Sequence, residues 1–302
     1  MTKNGIIRSP LFYVGDKYKL IEEIRQKFPT DINRFIEPFV GGGSVFLNVP
    51  ARTYLLNDID TNVINLHKLL CKYVGKEELF FKNLYSVIEE YGLSCSYKED
   101  VIPAEMKAKF VKTYFARYNK EAYTRLRDDF NNASKKDYIK LYLLLIYGFN
   151  HMLRFNSAGN FNLPVGNVDF NNNVVTALQD YFSAVAKKEI VWSSLDYKKF
   201  LAKANLNGDD FIYLDPPYLI TFSEYNKLWN EQTENELLET LSELDQQGIK
   251  FAISNVTHYK GRVNRIFLNW AKNYHSHPIK SNYISFRDNA VKKFSEVLVT
   301  NY

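Results

Sequence analysis

A doubly wound α/β sheet, mostly parallel and interrupted by a long helical insertion, is the fold class that this sequence predicts. Three observations predict it. First, an apolar run at residues 34–40 leads into Gly41, Gly42 and Gly43, a helical start at Ser44-Val45-Phe46-Leu47, and a second apolar run at 53–57 that ends in Asp58-Ile59-Asp60. Strand, glycine turn, helix, strand and acid, in that order, open a doubly wound sheet. Second, residues 62–155 hold few β-branched runs and read as helices. Third, alternating helices and strands resume near residue 175 and continue to the last run, Glu296–Asn301.

The elements follow in order. Leu20, Ile21 and Ile24 share one helical face over residues 18–28, and Pro29 stops that helix. Arg34-Phe35-Ile36-Glu37-Pro38-Phe39-Val40 and Thr53-Tyr54-Leu55-Leu56-Asn57 read as buried strands. After the insertion come a helix over 174–187, a strand at 189–193 and a short strand at 211–214 that ends in Asp215-Pro216-Pro217-Tyr218. Residues 233–247 form an amphipathic helix opened by Thr233-Glu234-Asn235-Glu236 and closed by Gly248. Lys250–Asn255 is the next strand, residues 259–273 suggest another helix, and a final strand covers 296–301. The α/β domain is therefore discontinuous, residues 1–60 and 168–302, with residues 61–167 as a second, helical domain. Neither an internal repeat nor a low-complexity segment is visible.

Composition narrows the function classes. Hydrophobic residues are 46% and charged residues 24% of 302, a globular balance. Cys71 and Cys95 are the only cysteines and no Cys/His cluster occurs, so neither a zinc site nor a disulfide framework is expected, and no metal is predicted. No apolar run reaches the roughly eighteen residues of a membrane span. Without a signal-peptide pattern, the expected location is cytoplasmic. The net charge of +5 suits a polyanionic partner. Lys107, Lys109, Lys112, Arg117, Lys120, Arg125 and Arg127 gather in the insertion among Phe110, Tyr114, Phe115, Tyr118 and Tyr123. That pattern fits a solvated helical bundle and a nucleic-acid surface equally.

Three segments carry chemistry. Glycines at a strand-to-helix junction let a ligand approach the backbone, and the first N–H groups of the helix can hold a carboxylate. Asp58 stands fifteen residues after Gly43 at a strand end, where an acid can accept from two ribose hydroxyls. Together they favour a ligand carrying adenosine. The third segment is the most specific. Two consecutive prolines stiffen the Asp215–Tyr218 turn. The Asp215 carboxylate and the Pro216 carbonyl could then accept both N–H bonds of one amine, while Tyr218 offers a face for a planar base. An aromatic exocyclic amine is a poor nucleophile because its lone pair is delocalised. Acceptors on both N–H bonds localise that pair and stabilise the positive charge that develops on nitrogen.

These residues resemble the Dam-type, or α-group, DNA adenine-N6 methyltransferases, in the order cofactor segment, target-recognition insertion, catalytic loop, over about residues 8–302. The resemblance implies a Rossmann-like methyltransferase sheet with a helical target-recognition insertion. It also implies S-adenosyl-L-methionine as cofactor and an adenine flipped out of double-stranded DNA as substrate. Tyr13-Val14-Gly15-Asp16-Lys17 is similar to the family's aromatic-x-Gly-x-Lys segment. By that match Tyr13 and Lys17 line the cofactor pocket, with Lys17 near the methionine carboxylate or the catalytic loop. Phe39, Gly41, Gly43, Asp58, Asp196 and Asp215 are the other implied cofactor residues, and Asp215, Pro216, Pro217 and Tyr218 the catalytic ones. Tyr147 to Gly166 is similar to a DNA-contacting hairpin, which makes Phe149, Asn150, Met152, Arg154 and Asn156 DNA-binding candidates. Arg154 is placed either to read guanine in bidentate fashion or to meet phosphate.

Two departures stand out. Phe12 occupies a place where GATC-specific members often carry lysine, and His151 one where they commonly have glycine, so the recognition sequence stays open. A restriction-modification setting with a cognate endonuclease, and a monomer or weak dimer, are the implied context. Cytosine N4, RNA or a protein side chain as substrate, and a catalytically silent DNA-binding chain, are the alternatives. A nicotinamide oxidoreductase is disfavoured because no G-x-G-x-x-G run occurs.

Overall fold

A computed structural model describes residues 5–221, 229–279 and 295–302. By contact the chain divides into two compact units. One comprises residues 1–16, 41–47 and 60–188, the other residues 17–40, 48–59 and 189–302. The division departs from the sequence expectation at its seams: the glycine turn and the helix near 174–187 group with the insertion.

The second unit is built on a sheet. Its strands are β1 (Arg34–Glu37), β2 (Thr53–Asn57), β3 (Glu189–Ser193), β4 (Asp210–Leu214), β5 (Lys250–Tyr259), β6 (Arg262–Val263), β7 (His275–Ile279) and β8 (Ser295–Thr300). The order is β3-β2-β1-β4-β5-β8-β7, with β6 hairpinned onto β5. Pairs from β3 to β5 are parallel, and β8 runs antiparallel to both β5 and β7. Every residue of β4 is buried, as a central parallel strand requires, which is why residues 211–214 read as an unbroken apolar run. Phe35 of β1 pairs with Tyr54 on one side and Phe211 on the other. At the start of these strands Arg34 grips the buried Asp210 with two charge-assisted bonds, Nε to Oδ1 at 2.6 Å and Nη2 to Oδ2 at 2.5 Å.

Helices of this unit are α1 (Ile21–Arg25), α9 (Tyr197–Lys203), α10 (Glu231–Gln246) and α11 (Arg265–Ala271). Leu237, Leu238, Leu241 and Leu244 of α10 pack with Ile212, Leu214, Phe251 and Ile253. The cap of α10 lies three residues earlier than expected: Asn230 Oδ1 accepts from the Thr233 N–H while Thr233 Oγ1 accepts from the Asn230 N–H, a complete capping box. The helix expected over 259–273 shortens to α11, because β5 continues to Tyr259 and turns back as β6.

The first unit is helical: α2 (Ser44–Asn48, whose last residue groups with the sheet), α3 (Thr61–Lys72), α4 (Glu77–Tyr91), α5 (Ala104–Lys109), α6 (Tyr114–Asn132), α7 (Tyr138–Tyr147) and α8 (Asn172–Val185). α7 is buried along nearly its whole length, as a helix apolar on all sides must be. α8 joins this unit by packing on α3, where Tyr181 stacks on His67 with centroids 6.1 Å apart.

Candidate active site

In an open sheet of this order, the chain winds in opposite directions on either side of the β1–β4 boundary, and the carboxyl ends of the strands there form the ligand crevice. The sheet unit puts Glu37-Pro38-Phe39 at the end of β1, Asp58 at the end of β2 and Asp215-Pro216-Pro217-Tyr218 at the end of β4. Asn57 ties these ends together. Its Nδ2 donates to the Pro38 carbonyl at 3.0 Å and the Leu195 carbonyl at 2.9 Å, and its Oδ1 accepts from the Leu195 N–H at 2.9 Å.

Lys17, drawn from far earlier in the chain, is only 3% exposed and donates to Asp215 Oδ2 at 2.5 Å. Lys17 thus lies beside the Asp215–Tyr218 turn. The other carboxylate oxygen of Asp215 accepts from the Tyr218 hydroxyl at 2.7 Å, and Lys17 Nζ lies 5.2 Å from the Tyr218 ring centre. Pro216 is buried, while Asp215, Pro217 and Tyr218 keep partial exposure. Burial, with Asp215 and Glu296 nearby, pushes the Tyr218 phenol well above its ordinary range, so it stays a neutral donor.

The sequence reading missed one member of this cluster. Glu296 of β8 is 1% exposed and stands 3.2 Å from the Tyr218 hydroxyl and 3.7 Å from Lys17 Nζ. Burial and the Asp215 charge raise its pKa, and Lys17 opposes them. Its only trace in the sequence is an acid directly before the apolar run Val297-Leu298-Val299.

Asp58 is partly exposed and the adjoining Ile59 is 70% exposed, so an acceptor and a bare apolar face sit side by side. Phe39 packs on Tyr197 with centroids 5.4 Å apart and meets Trp229 edge-on at 6.0 Å. Acid, apolar face and aromatics match the ribose and base of an adenosine-bearing cofactor. Asp196 is exposed and caps α9 by accepting from the N–H groups of Lys198 at 3.0 Å and Lys199 at 3.4 Å.

The remaining sequence candidates belong to the helical unit. Gly41 and Gly43 have φ of +47° and +79°, values that glycine adopts without strain. A Cβ on Gly42 would lie 2.8 Å from Cβ of Tyr13, and one on Gly43 would strike Phe46 and His67. His67 holds the turn from beneath. The Gly41 carbonyl can only accept, so at 2.9 Å Nε2 carries the proton, and Nδ1 at 3.2 Å accepts from Tyr181. Burial pushes the pKa of His67 down to about 4, so the ring is neutral.

Residues 148–166 form the expected hairpin. Its ladder includes Phe149 N–H to the Pro164 carbonyl at 2.9 Å and Asn162 N–H to the Arg154 carbonyl at 3.0 Å. Phe149 is 51% exposed, Asn150 and Asn156 are exposed, and Met152 is partly exposed. Asn150 and His151 hold left-handed φ of 54° and 49°, a strained pair of the sort that accumulates at functional sites. Arg154 spends Nε and Nη2 on Asn162, at 2.9 and 2.7 Å, and so fastens the two arms. The two departures noted in the sequence touch each other: Phe12 packs on His151 with centroids 5.4 Å apart, and the Arg8 guanidinium lies 4.6 Å above Phe12.

Among the described residues, no cluster of three His, Cys, Asp or Glu could hold a metal ion, and no helix is long and apolar enough to cross a membrane. The sheet order and the Asp-Pro-Pro-Tyr turn at its switch point define a Rossmann-like methyltransferase. The chain matches the D12 class N6 adenine-specific DNA methyltransferase model over residues 13–284 and belongs to that family. It is 32% identical to the modification methylase StsI of Streptococcus sanguinis and 33% identical to the type II methyltransferase M.FokI of Planomicrobium okeanokoites, over 98% and 99% of this chain. It spans 43% of the length of each. A DNA adenine methylase of Vibrio cholerae serotype O1 is 31% identical over 70% of this chain and 65% of its own length.

Proposed function

We propose that this chain transfers a methyl group from S-adenosyl-L-methionine to N6 of an adenine flipped out of a short site in double-stranded DNA. The observation that carries the reading is the Asp215–Tyr218 turn at the sheet's switch point, with its acid buttressed by a buried lysine, in a chain of the adenine-specific family.

The cofactor supplies an electrophilic methyl on a sulfonium, and the protein's task is to aim a weak nucleophile at it. Asp215 and the Pro216 carbonyl accept the two N–H bonds of the adenine amine. That localises the nitrogen lone pair and stabilises the charge that grows on nitrogen. Pro217 stiffens the turn, and Tyr218 stacks on the extruded base. Lys17 holds the Asp215 carboxylate in place. Asp58 takes the ribose hydroxyls of the cofactor, with Ile59 and Phe39 against its base. Tyr13, Gly41 and Gly43 are proposed for the same ligand on the family resemblance. Asp196 stays a candidate, although its observed work is helix capping.

Phe149, Asn150, Met152, Arg154 and Asn156 are proposed to meet the DNA. Release of Arg154 from Asn162 would free its guanidinium for guanine or phosphate. The names of the two modification methylases support a restriction-modification setting with a cognate endonuclease. A monomer or weak dimer acting in the cytoplasm completes the proposal.

The test is methylation of a random-sequence duplex library with labelled S-adenosylmethionine, followed by single-molecule sequencing for the base and its context. N6-methyladenine in one short motif is expected, and Asp215→Ala is expected to form none. Turnover at the wild-type rate by Asp215→Ala would remove the proposed role of that carboxylate.

A further inference from the structure

Both oxygens of Asp215 already have donors, Lys17 Nζ on Oδ2 at 2.5 Å and the Tyr218 hydroxyl on Oδ1 at 2.7 Å. A carboxylate that must accept an N–H from an incoming amine has to share or surrender one of them. One acceptor reaches both donors: Glu296 Oε1, 3.2 Å from the Tyr218 oxygen and 3.7 Å from Lys17 Nζ. Its second oxygen is buried with no hydrogen-bond partner among the described residues. Keeping such an oxygen costs stability. The other buried residues of β8, Leu298, Val299 and Thr300, carry no ionisable group.

Resting on the adenine-methylating reading, we infer that Glu296 is a positioning residue: it receives the Tyr218 hydroxyl and the Lys17 ammonium when the amine docks on Asp215. Before docking, the two donors hold Asp215 in one orientation. On docking, the amine N–H replaces the Tyr218 hydroxyl on Oδ1, and that hydroxyl swings onto Glu296. Lys17, set between two carboxylates, keeps contact with both. The Tyr218 hydroxyl and the Lys17 ammonium thus keep an acceptor while the turn exchanges partners. Glu296 touches neither substrate nor cofactor and acts only through Lys17 and Tyr218.

The idea predicts an unusual pair of effects for Glu296→Gln. The folded pKa of Glu296 is raised, so its ionised form is penalised on folding, and the neutral variant is expected to melt at the same temperature as the wild type or higher. Its kcat is expected to fall by on the order of ten- to a hundred-fold, the scale of a lost charged hydrogen bond, with KM for S-adenosylmethionine within about two-fold. In a Tyr218→Phe background the same substitution is expected to cost less, because the hydroxyl it serves is gone.

The experiment measures melting temperature, kcat and KM for wild type, Glu296→Gln, Tyr218→Phe and the double variant. Unchanged kcat, fully additive losses, or a lowered melting temperature would each overturn the proposal and make Glu296 a structural acid. Failure of the wild type to form N6-methyladenine instead strikes the functional reading. The melting arm still decides on Glu296 in that case, since it requires no turnover.

Discussion

At the scale of single residues, the turn at Asp215–Tyr218 is a small electrostatic device. One ammonium, two carboxylates and one phenol share a nearly dry space, and geometry assigns each a direction. Tyr218 has two separable duties there, ring and hydroxyl. Tyr218→Phe keeps the ring and loses the tie to Asp215. Tyr218→Ala loses both and is expected to cost a further 1–3 kcal/mol, roughly, in kcat/KM, the scale of base–aromatic stacking. Steady-state kinetics of the two variants separates them; equal losses would mean that the ring does not stack. The Asp-Pro-Pro-Tyr residues stand out in the sequence as candidates because each type has a stated chemical use and their combination is demanding. Glu296 does not, since a lone acid in a strand acquires meaning only when the sheet brings it next to Lys17. For Arg154 and Asp196, whose types suggest ligand contacts, the structure adds local roles that only the fold shows, bracing a hairpin and capping a helix.

At the scale of elements, the glycine turn depends on what lies under it. His67, neutral and with its pKa pushed down to about 4, donates to the Gly41 carbonyl. The unfolded chain takes up a proton near pH 6.5 and the folded unit does not until about pH 4. Stability should therefore be flat above pH 7 and fall as the pH drops through that window, by up to roughly 3 kcal/mol. Urea melts of wild type and His67→Gln at pH 7 and pH 5 check this: the wild type should lose more between the two, and parallel losses would clear His67 as the cause. Elements with strong periodicity were legible from sequence. β2 and β3 fall where expected, and α10 within two residues of its expected start. The shortfalls have physical reasons. β7, His275-Ser-His-Pro-Ile279, is an edge strand with one buried residue and so lacks an apolar signature. The β5–β6 hairpin hid inside an expected helix because its turn, Lys260-Gly261, lies between residues that also suit a helix.

At the scale of the whole molecule, the excess of basic residues and the long insertion set the expectation for binding. If phosphates supply most of the affinity, the logarithm of the DNA association constant should fall linearly with the logarithm of salt, by about 0.9 per phosphate neutralised. Fluorescence anisotropy with a labelled duplex across a salt series gives the slope, and a flat plot would rule out an electrostatic interface. The discontinuous organisation was legible in outline, because the periodicity changes character near residue 61 and again near 175. The seams were not. Which unit claims the glycine turn and α8 depends on side chains such as Tyr181 and His67 that meet only in three dimensions.

One feature of the sheet bears on how the chain is made. β8 lies between β5 and β7 although it follows both in sequence, and it brings Glu296 with it. During synthesis on a ribosome, β7 therefore has no neighbour to pair with until residues 295–300 emerge. The β8–β7 edge of the sheet and the Glu296 corner of the candidate site become complete in the same moment, so a nascent chain interrupted short of that strand would lack both.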